Sequence, residues 1–204
     1  MPQVTTGQRV KLNVTEKAKH RVMAGLGWDP ATDMSFLDKI NDVVAGKKSY
    51  HDLDLCCFLY NQDKEIVSHV SADPGQGIDH TGKVYHSGDN VEGYGDGDDE
   101  EISIELLDLN DSIHHIIITA EIRTGHDFTE ISGPEIRLAD GYSNHNFLQR
   151  QLDTQAGANM SAYVFAHLYR ADNGWMLHYV DQYAKRDENV QKWISLLGGF
   201  LTEK

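Results

Sequence analysis

The sequence predicts a mainly β protein: an antiparallel β-sandwich with short helices and a C-terminal helix. Three observations predict it. Short runs mixing β-branched and aromatic residues recur along the chain, with Gly, Asn and Asp breaks between them. These runs do not alternate with helical segments, as the strands of a parallel βαβ sheet would. The chain has 204 residues, 40% of them hydrophobic, which suits one domain with a real core rather than two.

In chain order the strand candidates are Arg9–Val14, His20–Leu26, Leu53–Tyr60, Ile66–Val70, Ile102–Leu106, His115–Ile122, Glu135–Leu138, Ser161–Tyr169 and Trp175–Asp181. In His115–Ile122 three isoleucines are consecutive, the pattern of a strand buried on both faces or of a buried helix segment. Phe36–Ala45 is a weakly amphipathic helix candidate, and Asn146–Leu152 fits either a strand or a short helical turn. In Asn189–Leu201, Val190, Trp193, Ile194 and Leu197 fall at helical spacing, with Gly198-Gly199 as a stop. Such a helix docks on the core or offers its face to a partner.

Composition excludes several classes of function. Eighteen basic residues against 32 acidic ones leave a net charge of −14, which opposes direct binding to nucleic acid or to an anionic membrane. No apolar run reaches the ~18 residues of a membrane span, so direct membrane insertion is not expected. The opening stretch MPQVTTGQRVKLNV lacks the basic-then-apolar layout of an export signal. Cys56 and Cys57 are adjacent and cannot staple distant parts of the chain, so a soluble protein of a reducing compartment is expected.

The charge is concentrated. Between His86 and Glu101 lie Asp89, Glu92, Asp96, Asp98, Asp99, Glu100 and Glu101, with no Lys or Arg. Gly88, Gly93, Gly95 and Gly97 interleave with them and let the backbone curl, so that carbonyls and carboxylates can converge. Two carboxylates ~5 Å apart repel by roughly 3 kcal/mol at an effective dielectric of ~20. The loop therefore either splays into solvent or binds a hard cation. Oxygen donors of this kind suit Ca²⁺, whereas Zn²⁺ calls for Cys or His. The spacing is not that of an EF-hand, since the loop lacks Gly at position 6. Asp52 and Asp54, at i and i+2, share one side of a strand start, and Asp29 follows Gly27-Trp28. Acidic groups on separate loops at one end of a sandwich are how a sheet protein assembles a multi-ligand Ca²⁺ site.

The string Gly25-Leu-Gly-Trp-Asp29, then Asp52-Leu-Asp54, then Ser87-Gly-Asp-Asn-x-x-Gly-x-Gly-Asp-Gly-Asp-Asp-Glu100 resembles the TerD family of tellurium-resistance and stress proteins. The resemblance runs from about Thr6 to Tyr183 and leaves residues 185–204 as a helical extension of a single domain. It implies a calcium-binding β-sandwich in the cytoplasm, without established catalysis, holding more than one Ca²⁺. It implies partners among other proteins of the same resistance system, some of them membrane-associated. The implied metal ligands are Asp52, Asp54, Asp89, Asn90, Asp98, Asp99 and Glu100, with Asp29, Gly93 and Asp96 beside them. Glu92 and Tyr94 depart from the family's usual residues, and the segment between Asp29 and His51 is longer than the family's.

Other constellations are weaker. Ser87 lies near His86 and several Asp residues, but no Gly-x-Ser-x-Gly elbow is present. No enzyme is expected; the alternatives are metal-assisted phosphoester hydrolysis at the acidic loop, or binding of tellurite or another oxyanion. His80, His86, His114 and His115 lack metal-ligand spacing and are read as surface or packing residues. Cys56 and Cys57 alternate across a strand, so one is expected in the core and the other on the opposite side.

Overall fold

A computed structural model describes residues 4–30, 41–48, 50–91, 93, 97–172 and 174–203. Among the described residues, eleven strands form two antiparallel sheets. One sheet contains β1 (Arg9–Lys11), β11 (Gly174–Ala184), β10 (Ala162–Ala171), β7 (His115–Glu121), β3 (Asp54–Tyr60) and β4 (Ile66–Val70), in that order. The other contains β5 (Val84–His86), β6 (Glu100–Glu105), β2 (Arg21–Asp29), β8 (Ser132–Asp140) and β9 (Asn146–Gln151). The two sheets pack face to face as the predicted sandwich.

Strand alternation builds the core. Leu55, Cys57 and Leu59 of β3, Ile116, Ile118 and Ala120 of β7, and Val22, Ala24, Leu26 and Trp28 of β2 all enter one buried cluster between the sheets. In β10 a register shift between Val164 and Ala166 turns the adjacent Phe165 and Ala166 into that same cluster.

The six-stranded sheet is apolar on its outer face as well. Cys56, Phe58 and Tyr60 of β3, Ile117 of β7, Ala162 and Val164 of β10 and Val180 of β11 form a second buried cluster. Helix α1 (Val190–Leu197) covers it with Trp193, Ile194 and Leu197, and Leu201 follows from the tail. Asn189 caps α1, its side chain accepting from the backbone N–H groups of Gln191 and Lys192. The Tyr60 hydroxyl donates to the Ile194 carbonyl at 2.9 Å. This covering layer explains the three consecutive isoleucines, and it adds to the reading of the cysteines, which lie on opposite sides of the strand as expected. Both thiols are buried, Cys57 between the sheets and Cys56 beneath α1.

Other differences are local. His20 ends a 3-10 turn, Lys17–His20, so β2 begins at Arg21 and runs on through Gly25 and Gly27 to Asp29. Asn146–Gln151 is a strand. The short strand Val84–His86 has too few residues to show a period. Of the helix candidate Phe36–Ala45, residues 36–40 lie outside the described residues, and 41–44 form a helical turn.

Candidate functional site

One end of the sandwich gathers the end of β2, the starts of β3 and β6, the loop before β6 and the segment after β7. The loop folds back over the outer face of the five-stranded sheet. A Cβ on Gly25 would lie 2.2 Å from a carboxylate oxygen of Asp98, and one on Gly27 would lie 2.7 Å from the Gly97 carbonyl. Those two glycines in the middle of a strand leave room for the acidic loop. Gly93, at φ +64°, rests on Trp28, where a Cβ would meet the indole Nε1 at 2.6 Å.

Glu100 ties the sheets together. It is fully buried, and its Oε2 accepts from the Leu55 N–H at 2.7 Å, joining the start of β6 to β3. Its Oε1 faces the Asn90 N–H at 3.3 Å, and its Oε2 lies 3.2 Å from His86 Nε2. His86 Nδ1 accepts from the Gly88 N–H at 3.0 Å, so Nε2 carries the ring proton of neutral His86 and donates it to Glu100. His86 thus positions Glu100.

Two groups of carboxylates form around this tie. In the first, Asp52, Asp54 and Asp89 line one cleft of about 250 Å³ with Asp73 and Arg123. Asp52 and Asp54 are 8% and 7% exposed, and Asp52 Oδ1 has no hydrogen-bond partner. Burial, then the charges of Asp54, Asp89 and Glu100, push the Asp52 carboxyl up to about 7. Burial likewise lifts Asp54 to about 7, with Glu100, Glu121 and Asp73 adding repulsion that Arg123 opposes. Arg123 Nε stands 3.5 Å from Asp54, its Nη1 donates to Asp73 at 2.6 Å, and its Nη2 reaches Glu121 at 3.3 Å.

The second group lies on the five-stranded sheet. Arg137 of β8 grips Asp98 through its Nε and Nη2, at 2.6–3.0 Å. Asp99 accepts from the Trp28 N–H at 2.9 Å and from the Asn90 amide at 2.9 Å. Burial, with the charges of Asp98 and Asp29, raises its carboxyl above the ordinary range. Asp29, exposed at the end of β2, leans on Gly133. Asn90 bridges the two groups, and its Oδ1 accepts from the Gly93 N–H at 3.1 Å. Asp96 lies outside the described residues.

These contacts are organised as a domain of known kind. The sequence model of the TerD domain matches residues 1–190. The chain belongs to the TerD family. Among its relatives, the tellurium resistance protein TerX of Serratia marcescens is 27% identical over 92% of this chain and 95% of its own. The tellurium resistance protein TerD of an Alcaligenes species is 30% identical over 84% and 85%. Stress response protein SCP2 of Bacillus subtilis is 29% identical over 83% and 85%. The crystal structure of a TerD homologue from Streptomyces coelicolor superposes with a TM-score of 0.68 at 22% identity, covering 87% of this chain and 96% of that one. TerD membership and the sandwich are therefore shared with proteins of tellurium resistance and stress response.

Several residues of this TerD end escape sequence reasoning. Arg123, Arg137 and Asp73 are single charged residues in unremarkable contexts, and only the fold carries them to the acidic loop. The histidines and cysteines take other roles. His115 is buried, its Nδ1 3.1 Å from His167 Nε2, in a row of rings with His178 on the outer sheet face. Burial, then His115 and His178, hold His167 down to about 3. Burial pushes both thiols up, which suppresses the reactive thiolate. Among the described residues no helix is long and apolar enough to cross a membrane.

Proposed function

We propose that this TerD-family protein is a calcium-binding, non-enzymatic module of tellurite resistance and stress response. It acts in the cytoplasm through contact with other proteins of that system, and the contact depends on bound calcium. The observation that carries this reading is the pair Asp52 and Asp54. Both are buried, both are pushed toward neutrality, and one oxygen has no partner, beside Asp89 and Glu100. A buried carboxylate left in this state is costly, and a hard cation relieves the cost.

The donor chemistry fits Ca²⁺, which takes six to eight oxygens in flexible geometry. Asp52, Asp54, Asp89 and Glu100 would hold one ion. Asp29, Asp98 and Asp99 would contribute to a second, with Asn90 between the groups and a backbone carbonyl from Gly93. Asp96 is a further candidate on the same loop. Bound calcium would cancel part of the negative field at this end, and a partner reading that surface would bind the two states differently.

Melting of chelator-treated protein tests the site. Calcium at ~100 times Kd stabilises by about 2.7 kcal/mol, with Mg²⁺ a poor substitute. Asp52→Asn and Asp89→Ala remove the effect; a calcium shift that survives in both variants refutes the assignment. Pull-downs with calcium and with chelator test the contact, and identical partner sets reduce calcium to a structural staple. Divalent-dependent phosphoester hydrolysis that Asp89→Ala abolishes would favour an enzyme instead.

A further inference from the structure

We propose that Asp42, His51 and His126 form a separate transition-metal site that takes Zn²⁺. The three ligands come from three segments: the helical turn 41–44, the loop that leads into β3, and the loop after β7. Each offers one ligand atom, and the three atoms lie within 4.8 Å of one another. His126 Nε2 is 3.6 Å from Asp42 Oδ2, and the His51 and His126 rings meet edge to face with centroids 4.4 Å apart. Ligand atoms around a tetrahedral zinc stand about 3.3–3.5 Å apart, given bonds of ~2.0–2.1 Å. Small side-chain rotations bring this trio to that spacing.

His126 supplies an independent observation. Its side chain is fully buried, and its Nε2 has no hydrogen-bond partner. Its Nδ1 lies 2.9 Å from the Thr124 hydroxyl, an oxygen that can accept the ring proton. With Nδ1 donating to that hydroxyl, Nε2 offers its lone pair to a metal shared with Asp42, whose Oδ2 stands 3.6 Å away. A hydrogen bond from the far ring nitrogen to such an oxygen orients metal-binding histidines. The nearby cation, Lys47, is engaged by Glu130 at 2.6 Å. Two imidazoles with one carboxylate suit zinc and not calcium, and they leave a fourth position for water or another ligand. The site adjoins the acidic end through the peptide bond between His51 and Asp52, so a metal on His51 would also restrain Asp52.

Calorimetric titration of the full chelator-treated chain with Zn²⁺, in millimolar Ca²⁺, tests the proposal. Wild type takes up one tight equivalent. Asp42→Asn and His51→Gln, both changes at partly exposed positions, each weaken it at least tenfold with an unchanged circular-dichroism spectrum. Co²⁺ in place of Zn²⁺ gives the intense visible bands of a four-coordinate ion in wild type and loses them in both variants. Absence of zinc uptake by wild type, or equal uptake by all three proteins, overturns the site. The readout is zinc itself, so the result stands apart from whether the acidic end takes calcium.

Discussion

Glu121 and Asp52 are both buried acids near Arg123, yet the fold treats them in opposite ways. Glu121 is fully enclosed and fully served. Arg186 donates to it at 2.6 Å, Arg123 at 3.3 Å, the Trp193 indole N–H at 2.7 Å and the Thr119 hydroxyl at 3.0 Å. Those donors come from the sheet, from the segment before α1 and from α1 itself, so Glu121 is the polar bolt that holds the helix down. Asp52 has an oxygen with no partner and three acids as neighbours. A buried acid that the chain satisfies itself is structural. One that the chain leaves short of donors calls for an explanation, which the proposed cation supplies for Asp52.

The largest expected effect tests the structural half of that contrast. Glu121→Ala takes one acceptor from Arg123, which keeps Asp73, and leaves the Arg186 guanidinium and the Trp193 N–H without theirs beneath α1. Loss of one partner of such a network costs about 3–5 kcal/mol. Urea denaturation reads it, and the loss is the same with calcium or chelator. A loss below ~1 kcal/mol would break the distinction between the two acids.

Next in size is the response of the acidic pair to pH in metal-free protein. Asp52 and Asp54 titrate near 7 when folded and near 3.8 in their ordinary state. The folded chain therefore holds more protons between those values, and stability falls as pH rises from about 4 to 7. The buried His167 works the other way. It stays neutral when folded, so its contribution is present above about 6.5 and fades as pH falls toward 3. The comparison that isolates the acids is wild type against Asp52→Asn/Asp54→Asn, melted at pH 5 and at pH 7.5 with chelator. The wild type loses more stability on going to the higher pH. Parallel losses would mean that Arg123 already neutralises the pair.

The smallest expected effect sharpens the other side. Tyr60→Phe removes the hydroxyl that reaches the Ile194 carbonyl, and costs about 1 kcal/mol. That carbonyl also accepts from the Gly198 N–H, so it is not left bare. A cost near that of Glu121→Ala would show that α1 is held by its tyrosine anchor as much as by the carboxylate.

Most of the strands, the terminal helix and the location of the acidic loop were legible in the sequence, because each is written in neighbouring residues, whereas the order of strands in the sheets was not. Short runs of β-branched and aromatic residues mark β3, β7 and β10 as strands, helical spacing of Trp193, Ile194 and Leu197 marks α1, and a run of acids between glycines marks a loop. These signals depend on local backbone geometry, whose period is short. The family string added the pairing of Asp52 and Asp54 with that loop. Tertiary structure decided which charges meet. Arg123 and Asp73 are fifty residues apart in sequence and ion-paired in space. Arg137 takes Asp98 because β8 pairs with β2 across Gly25, which has no side chain to block it. Cys56 is buried because a helix more than 130 residues later lies over it. Asp42, His51 and His126 have no motif spacing, since a site built from three loops takes its geometry from how the sheets hold those loops, and distance along the chain carries no trace of it.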